Sequence, residues 1–86
     1  MGESEKQQLI AKAIRLESKQ LFVKAAEYYL KAEMGFEAAC AYEKAMAYEK
    51  AESLFRKLGK LEDASRCKIK REKSSSEAGR TWQDLQ

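Results

Sequence analysis

Residues 22–67 read FVKAAEYYLKAEMGFEAACAYEKAMAYEKAESLFRKLGKLEDASRC. One helix-sized phrase returns four times in this stretch. It opens on Phe22, Phe36, Tyr48 or Leu61, and an alanine follows three residues later, at Ala25, Ala39, Ala51 and Ala64. The openings stand 14, 12 and 13 residues apart. Within them Tyr-x-Lys-Ala recurs at Tyr29–Ala32, Tyr42–Ala45 and Tyr48–Ala51. A helix-sized unit repeated in this way is the pattern of a helical array, in which each unit buries its apolar face against the next.

Working outward, the composition agrees. Proline is absent, and 44% of the 86 residues are hydrophobic against 36% charged. Ala, Glu, Lys and Leu dominate, and all four favour helix. The expected class is all-α. A chain of this length makes one domain and buries roughly 60–65% of its unfolded surface, so the core is thin.

The helix boundaries follow from caps and phase. Ser4-Glu5-Lys6-Gln7 has the form of a capping box, and Leu9, Ile10, Ala13, Ile14 and Leu16 follow at helical spacing, giving a first helix over about 5–17. Ser18-Lys19-Gln20 is a short turn, which makes the next helix an antiparallel neighbour. That helix covers about 21–34, with Phe22, Ala25, Ala26 and Tyr29 on its buried stripe and Tyr28 off it. Gly35 is read as its left-handed terminating residue. Residues 36–58 carry no glycine or proline, so propensity alone allows one long helix. The repeat instead places a break at Met46-Ala47, and two helices are favoured here. Gly59 ends this segment, and a last helix runs from Leu61 to about Lys73.

The domain is therefore expected over 1–73, with 74–86 as a flexible tail because Ser74-Ser75-Ser76 and Gly79 read as a linker. Thr81 could cap a short turn around Trp82. Docking on the body, freedom, or the start of a further unit all fit Trp82 equally.

Several function classes drop out. There is no histidine, and Glu27, Glu43 and Glu49 have basic neighbours, as on a solvated helix face. No catalytic residue and no enzyme activity are expected. Cys40 and Cys67 lie 27 residues apart among alanines, which reads as packing rather than as a metal site or a disulfide. The glycines are isolated, so there is no phosphate loop, and no cofactor or small-molecule substrate is expected. No apolar run is long enough to span a membrane. The Met1–Lys6 start shows no secretory signal, and Lys6 stands where a myristoylation signal needs Ser or Thr. A cytoplasmic protein is expected.

The net charge of +3 is uneven: residues 1–43 hold six basic and seven acidic side chains, residues 44–86 eleven and seven. Arg66, Lys70 and Lys73 share one face of the last helix by their spacing. That face could attract phosphate, anionic lipid or nucleic acid. Nucleic acid is disfavoured because aromatic residues are not interleaved with the charges.

At the repeated F/Y-x-x-A and Y-x-K-A pattern the chain resembles tetratricopeptide-like (TPR-like) helical repeats. Phe22, Ala25, Tyr29 and Ala32 fall at the spaced positions of that family's second helix, and Tyr48, Ala51, Phe55 and Leu58 do so again. The resemblance covers about residues 9–71. It departs from the family in its 26-residue spacing and in lacking the first-helix signature of Trp, Leu-Gly and Tyr. It implies antiparallel helical hairpins stacked as a short α-solenoid or small bundle of four or five helices. It further implies a peptide-binding scaffold of the kind found in trafficking proteins, with no enzyme activity. A second resemblance, over Leu9–Ala32, is to microtubule-interacting-and-trafficking (MIT) domains. Those are three-helix bundles that bind tails of membrane-remodelling proteins, and they would need one long helix over 36–58.

The expected function is a protein–protein interaction module that takes a partner helix or peptide in a groove between helices. Tyr28, Lys31, Lys44 and Lys50 are the candidate partner-binding residues, suited to an acidic partner. Self-association, or a place in a larger helical array, is the structural alternative.

Overall fold

Four turns divide the chain into five helices. The computed structural model describes the backbone of residues 3–84 and the side chains of residues 4–73. The helices are α1 (Glu3–Ser18), α2 (Phe22–Lys31), α3 (Gly35–Lys44), α4 (Tyr48–Lys57) and α5 (Leu61–Asp84). The all-α expectation holds, with five helices and packing between neighbours. Residues 36–58 are two helices, separated where the repeat placed the break.

The turns are one device used four times. Gln20, Glu33, Met46 and Gly59 sit at φ +63°, +63°, +62° and +76°. Each follows the previous one by 13 residues. At each turn two hydrogen bonds close the helix end. The left-handed residue donates to a carbonyl three back, as in Met46 N–H to Glu43 O at 3.0 Å, and the next residue donates to one five back, as in Ala47 N–H to Tyr42 O at 2.9 Å. Leu21, Met34 and Lys60 repeat the second bond to Leu16, Tyr29 and Phe55. This is the Schellman closure, which satisfies carbonyls that a helix end otherwise leaves bare.

The common geometry corrects the repeat frame. Helix openings are Phe22, Gly35, Tyr48 and Leu61, evenly 13 apart, rather than Phe22, Phe36, Tyr48 and Leu61. The alanines in register are Ala25, Ala38, Ala51 and Ala64, all buried. Their amides donate the first helical bonds, to Leu21, Met34, Ala47 and Lys60. Gly35 does not end α2. It is the first residue of α3, and Glu33 takes the left-handed position instead. A Cβ on Gly35 would make only ordinary contact with Leu58, at 3.5 Å, so nothing there demands glycine. Among the described residues, Gly59 is the one glycine at positive φ, where glycine is favoured. Ser4 lies inside α1 rather than capping it.

The core is built mostly of alanine. Ala13, Ala25, Ala26, Ala38, Ala39, Ala41 and Ala51 have no exposed surface, and Tyr29, Tyr42, Phe55 and Cys67 fill the space between them. Small side chains let adjacent helix axes approach, and an aromatic from one helix fills the gap above the alanines of the next. The rings of Phe36 and Phe55 meet edge to face, with centroids 5.9 Å apart. Packing runs from α1 to α2, α2 to α3, α3 to α4 and α4 to α5.

The helix expected to stop near Lys73 runs to Asp84. A fifth turn in register would put its left-handed residue at Glu72. The two positions that normally make an apolar contact across such a turn would then be Lys68 and Lys73. Leu16, Tyr29, Tyr42 and Phe55 hold the first of these positions in the earlier units. With two lysines and no glycine, nothing local favours the closure, and the helix continues. The Trp82 side chain lies outside the described residues.

Candidate functional site

Two carboxylates sit where odd-numbered helices approach each other. On α1, Glu17 accepts a hydrogen bond from the Tyr29 hydroxyl at 2.5 Å and one from Lys44 Nζ at 3.2 Å. On α3, Glu43 accepts from Arg66 through both oxygens at 2.8 Å, and from Lys70 Nζ at 2.9 Å. Glu17 and Glu43 are 26 residues apart, and so are Lys44 and Lys70. The aromatic rings under those lysines, Phe22 and Tyr48, are 26 apart as well. The 13-residue unit is thus the step of the backbone, whereas the side-chain network repeats over a two-helix hairpin. Antiparallel neighbours turn equivalent positions to opposite faces, so only alternate helices present the same residues to each other.

The electrostatics follow this geometry. Hydrogen bonds from Arg66, aided by Lys70 and opposed by burial, hold the Glu43 carboxyl down at about 2. The same contacts push Arg66 and Lys70 upward. Burial, reinforced by the bond to Glu17, pushes the Tyr29 hydroxyl up to about 12. Cys40 and Cys67 are also raised, chiefly by burial, which suppresses thiolate character.

Of the residues chosen from sequence, Tyr28 is half-buried, with the ammonium groups of Lys31 and Lys12 at 4.9 Å and 5.2 Å from its ring centre. Lys44 is held by Glu17 and lies over Phe22, and Lys50 lies over Tyr42 at 5.5 Å. Lys31, Lys44 and Lys50 therefore have different partners and do not form one cluster. Arg66, Lys70 and Lys73 are brought together on the outer side of α5, but two of the three spend charge on Glu43. Glu17 and Glu43 were missed as organising residues. Their 26-residue spacing, matched by that of Lys44 and Lys70, was the available signal.

Glu52 was also missed. It occupies the register position of the buried alanines Ala13, Ala26 and Ala39 and is only 5% exposed. Arg56 bonds to it, and Arg71 from α5 lies 3.4 Å from its other oxygen. A carboxylate tolerated at an alanine position needs such cations beside it.

Among the depressions lined by described residues, two set apolar side chains beside two or more cations. One lies where α2, α3 and α4 meet and is lined by Leu30, Tyr42, Lys50, Ser53, Leu54 and Lys57. The other lies along the outer face of α5. No helix among the described residues is long and apolar enough to cross a membrane. No family model, characterised protein or solved structure matches this chain.

Proposed function

We propose that this chain is a protein–protein interaction module of TPR-like helical-repeat type, taking a partner helix or peptide in a groove between its helices. The observation that carries the reading is the depression between α2, α3 and α4. Leu30 and Leu54 offer apolar surface there above the buried Tyr42, and Lys50 and Lys57 stand beside it. Aromatic and aliphatic anchors in such a seam supply binding energy, and the lysines favour an acidic partner. The hairpin repeat gives the seam a rigid frame, since every turn is closed by the same pair of hydrogen bonds. The MIT-like alternative, binding tails of membrane-remodelling proteins, is less well supported because residues 36–58 form two helices. Binding of phosphate, anionic lipid or nucleic acid by α5 is also less well supported, because Glu43 neutralises part of its charge.

The test is selection of helical and extended peptides on the immobilised chain, followed by mapping of bound peptides through amide shift changes. The reading expects shifts at Leu30, Tyr42 and Leu54, and weaker binding on Lys50→Glu with Lys57→Glu. No peptide held at ~1 mM, or binding that is indifferent to both reversals or mapped elsewhere than this depression, overturns it.

A further inference from the structure

Ser53 stands where two depressions on α4 meet. It lines the apolar seam with Leu30, Leu54, Lys50 and Lys57, and it also lines a polar hollow with Glu49, Arg56 and Arg71. The residue is exposed. On a helix, the residues three before and four after lie on the same side, about 4.5 Å and 6 Å away along the axis. For Ser53 these are Lys50 and Lys57, both exposed. Neither lysine makes an ion pair among the described residues. Lys50 lies over the Tyr42 ring, 5.5 Å from its centre, a contact that leaves its charge without a carboxylate. Arg56 and Arg71 differ, because both are held by the buried Glu52, and they carry no part of the argument. The acid on this side is Glu49, four residues before Ser53 and exposed, and it offsets the two lysines only in part. No other serine with a described side chain has this setting. Ser18 spends its hydroxyl on the Arg15 carbonyl at 2.7 Å, and Ser4 has Gln8 and Ser65 has Ile69 where Ser53 has Lys57.

We propose that Ser53 is a phosphorylation site whose phosphate is taken up by Lys50 and Lys57 and closes the groove to an acidic partner. The regulation rests on the groove reading above, whereas the modification does not. The donor is ATP, and the catalyst is a serine/threonine kinase that reads basic residues around its target. The Ser53 oxygen attacks the γ-phosphorus of ATP. A P–O bond to Ser53 forms as the bond to ADP breaks, ADP leaves with that electron pair, and the hydroxyl proton passes to the kinase's catalytic base. The product adds a charge of about −1.5 to −2 at pH 7. An anion four residues before a lysine is the favourable order on a helix, and the phosphate on Ser53 stands in that order to Lys57. Lys50 reaches it from the preceding turn. The two lysines that attract a partner's carboxylates are then engaged from within the chain, and the phosphate repels those carboxylates.

The experiment incubates the full chain with ATP and a panel of basophilic kinases, and maps the phosphorylated positions by mass spectrometry. A peptide of residues 47–60 is the positive control for each kinase. Incorporation at Ser53 of the folded chain is expected, and its loss in Ser53→Ala. The phosphorylated chain is then titrated by phosphorus NMR. The second ionisation of the phosphate is expected to rise when Lys50→Gln and Lys57→Gln are introduced together, because both ammonium groups favour the dianion. An acidic peptide selected on the unmodified chain is expected to bind the phosphorylated chain about 10-fold or more weakly, while Ser53→Ala treated in the same way keeps its affinity. Modification of the control peptide but not of the folded chain overturns the site. A titration unmoved by the two lysine substitutions overturns it as well, and so does unchanged binding of the acidic peptide after phosphorylation. If the unmodified chain holds no peptide, the groove reading fails by itself, and incorporation and the titration still decide the Ser53 site.

Discussion

Replacing Met46 by glycine should stabilise this protein, although a glycine inside a helix normally does harm. Met46 has φ +62°, in the left-handed region that costs a residue with a side chain about 1–2 kcal/mol. Glycine removes that cost. It returns part of the gain, about 0.4–1 kcal/mol, through its greater freedom in the unfolded chain. The methionine side chain is 72% exposed, so little packing is lost. The net expectation is stabilisation by about 0.5–1 kcal/mol, which for a domain of this size raises the melting temperature by roughly 2–8 °C. Gly59→Ala is the mirror experiment. No neighbour lies within 4 Å of a Cβ placed there and φ is +76°, so backbone strain alone should destabilise by about the same amount. The assay is urea unfolding of the wild type and both variants, followed by circular dichroism. Were residues 36–58 one continuous helix, glycine at 46 would instead cost about 1 kcal/mol. A destabilised Met46→Gly, beside a destabilised Gly59→Ala, would refute the account of the turns.

Three further outcomes are expected. Glu43→Gln should cost about 1–2 kcal/mol at pH 7, a figure reduced for the exposure of Arg66 and Lys70. The Glu43 carboxyl titrates at about 2 when folded against an ordinary 4.5. Its contribution is therefore complete above about pH 4.5 and lost as pH falls toward 2, and the stability gap between wild type and variant should close over that window in acid-unfolding curves. Tyr29→Phe removes the hydroxyl that donates to Glu17 and should cost about 1 kcal/mol in urea titrations. Phe55→Ala empties the most deeply buried aromatic position and removes its contact with Phe36. A loss of about 3–5 kcal/mol is expected, enough to broaden or abolish the thermal transition of so small a domain.

Much of the fold was legible because its signals are local. Helix formers without proline, apolar residues at helical spacing and a turn at Ser18-Lys19-Gln20 all act within a few residues. The repeat also located the break at Met46-Ala47 with no glycine to mark it. The frame was harder to read, because Phe36 resembles an opening residue and Gly35 resembles a helix stop. In the folded chain Gly35 begins a helix and Glu33 makes the turn. The left-handed cost at Gln20, Glu33 and Met46 is offset by the hydrogen bonds of the closures and by the hairpin packing they allow. Glycine was thus a misleading guide at two turns and a correct one only at Gly59.

The candidate site was less legible. Tyr28, Lys31, Lys44 and Lys50 were chosen for residue type, and the structure gives each lysine its own partner. Arg66, Lys70 and Lys73 line one depression along α5, because spacing along a single helix decides which residues share a face.

Propensity and periodicity are properties of neighbouring residues, and they suffice to make this protein a succession of helices. The tertiary structure alone decided which side chains meet across helices, that Glu43 holds Arg66 and Lys70, and that Glu52 can occupy an alanine position. It also decided that Leu61 and Ile69 on α5 stay exposed, as do Lys12 and Arg15 on α1. The physical reason is that pairing and exposure depend on what another helix brings alongside. Neither can be read from the helix that carries the residue.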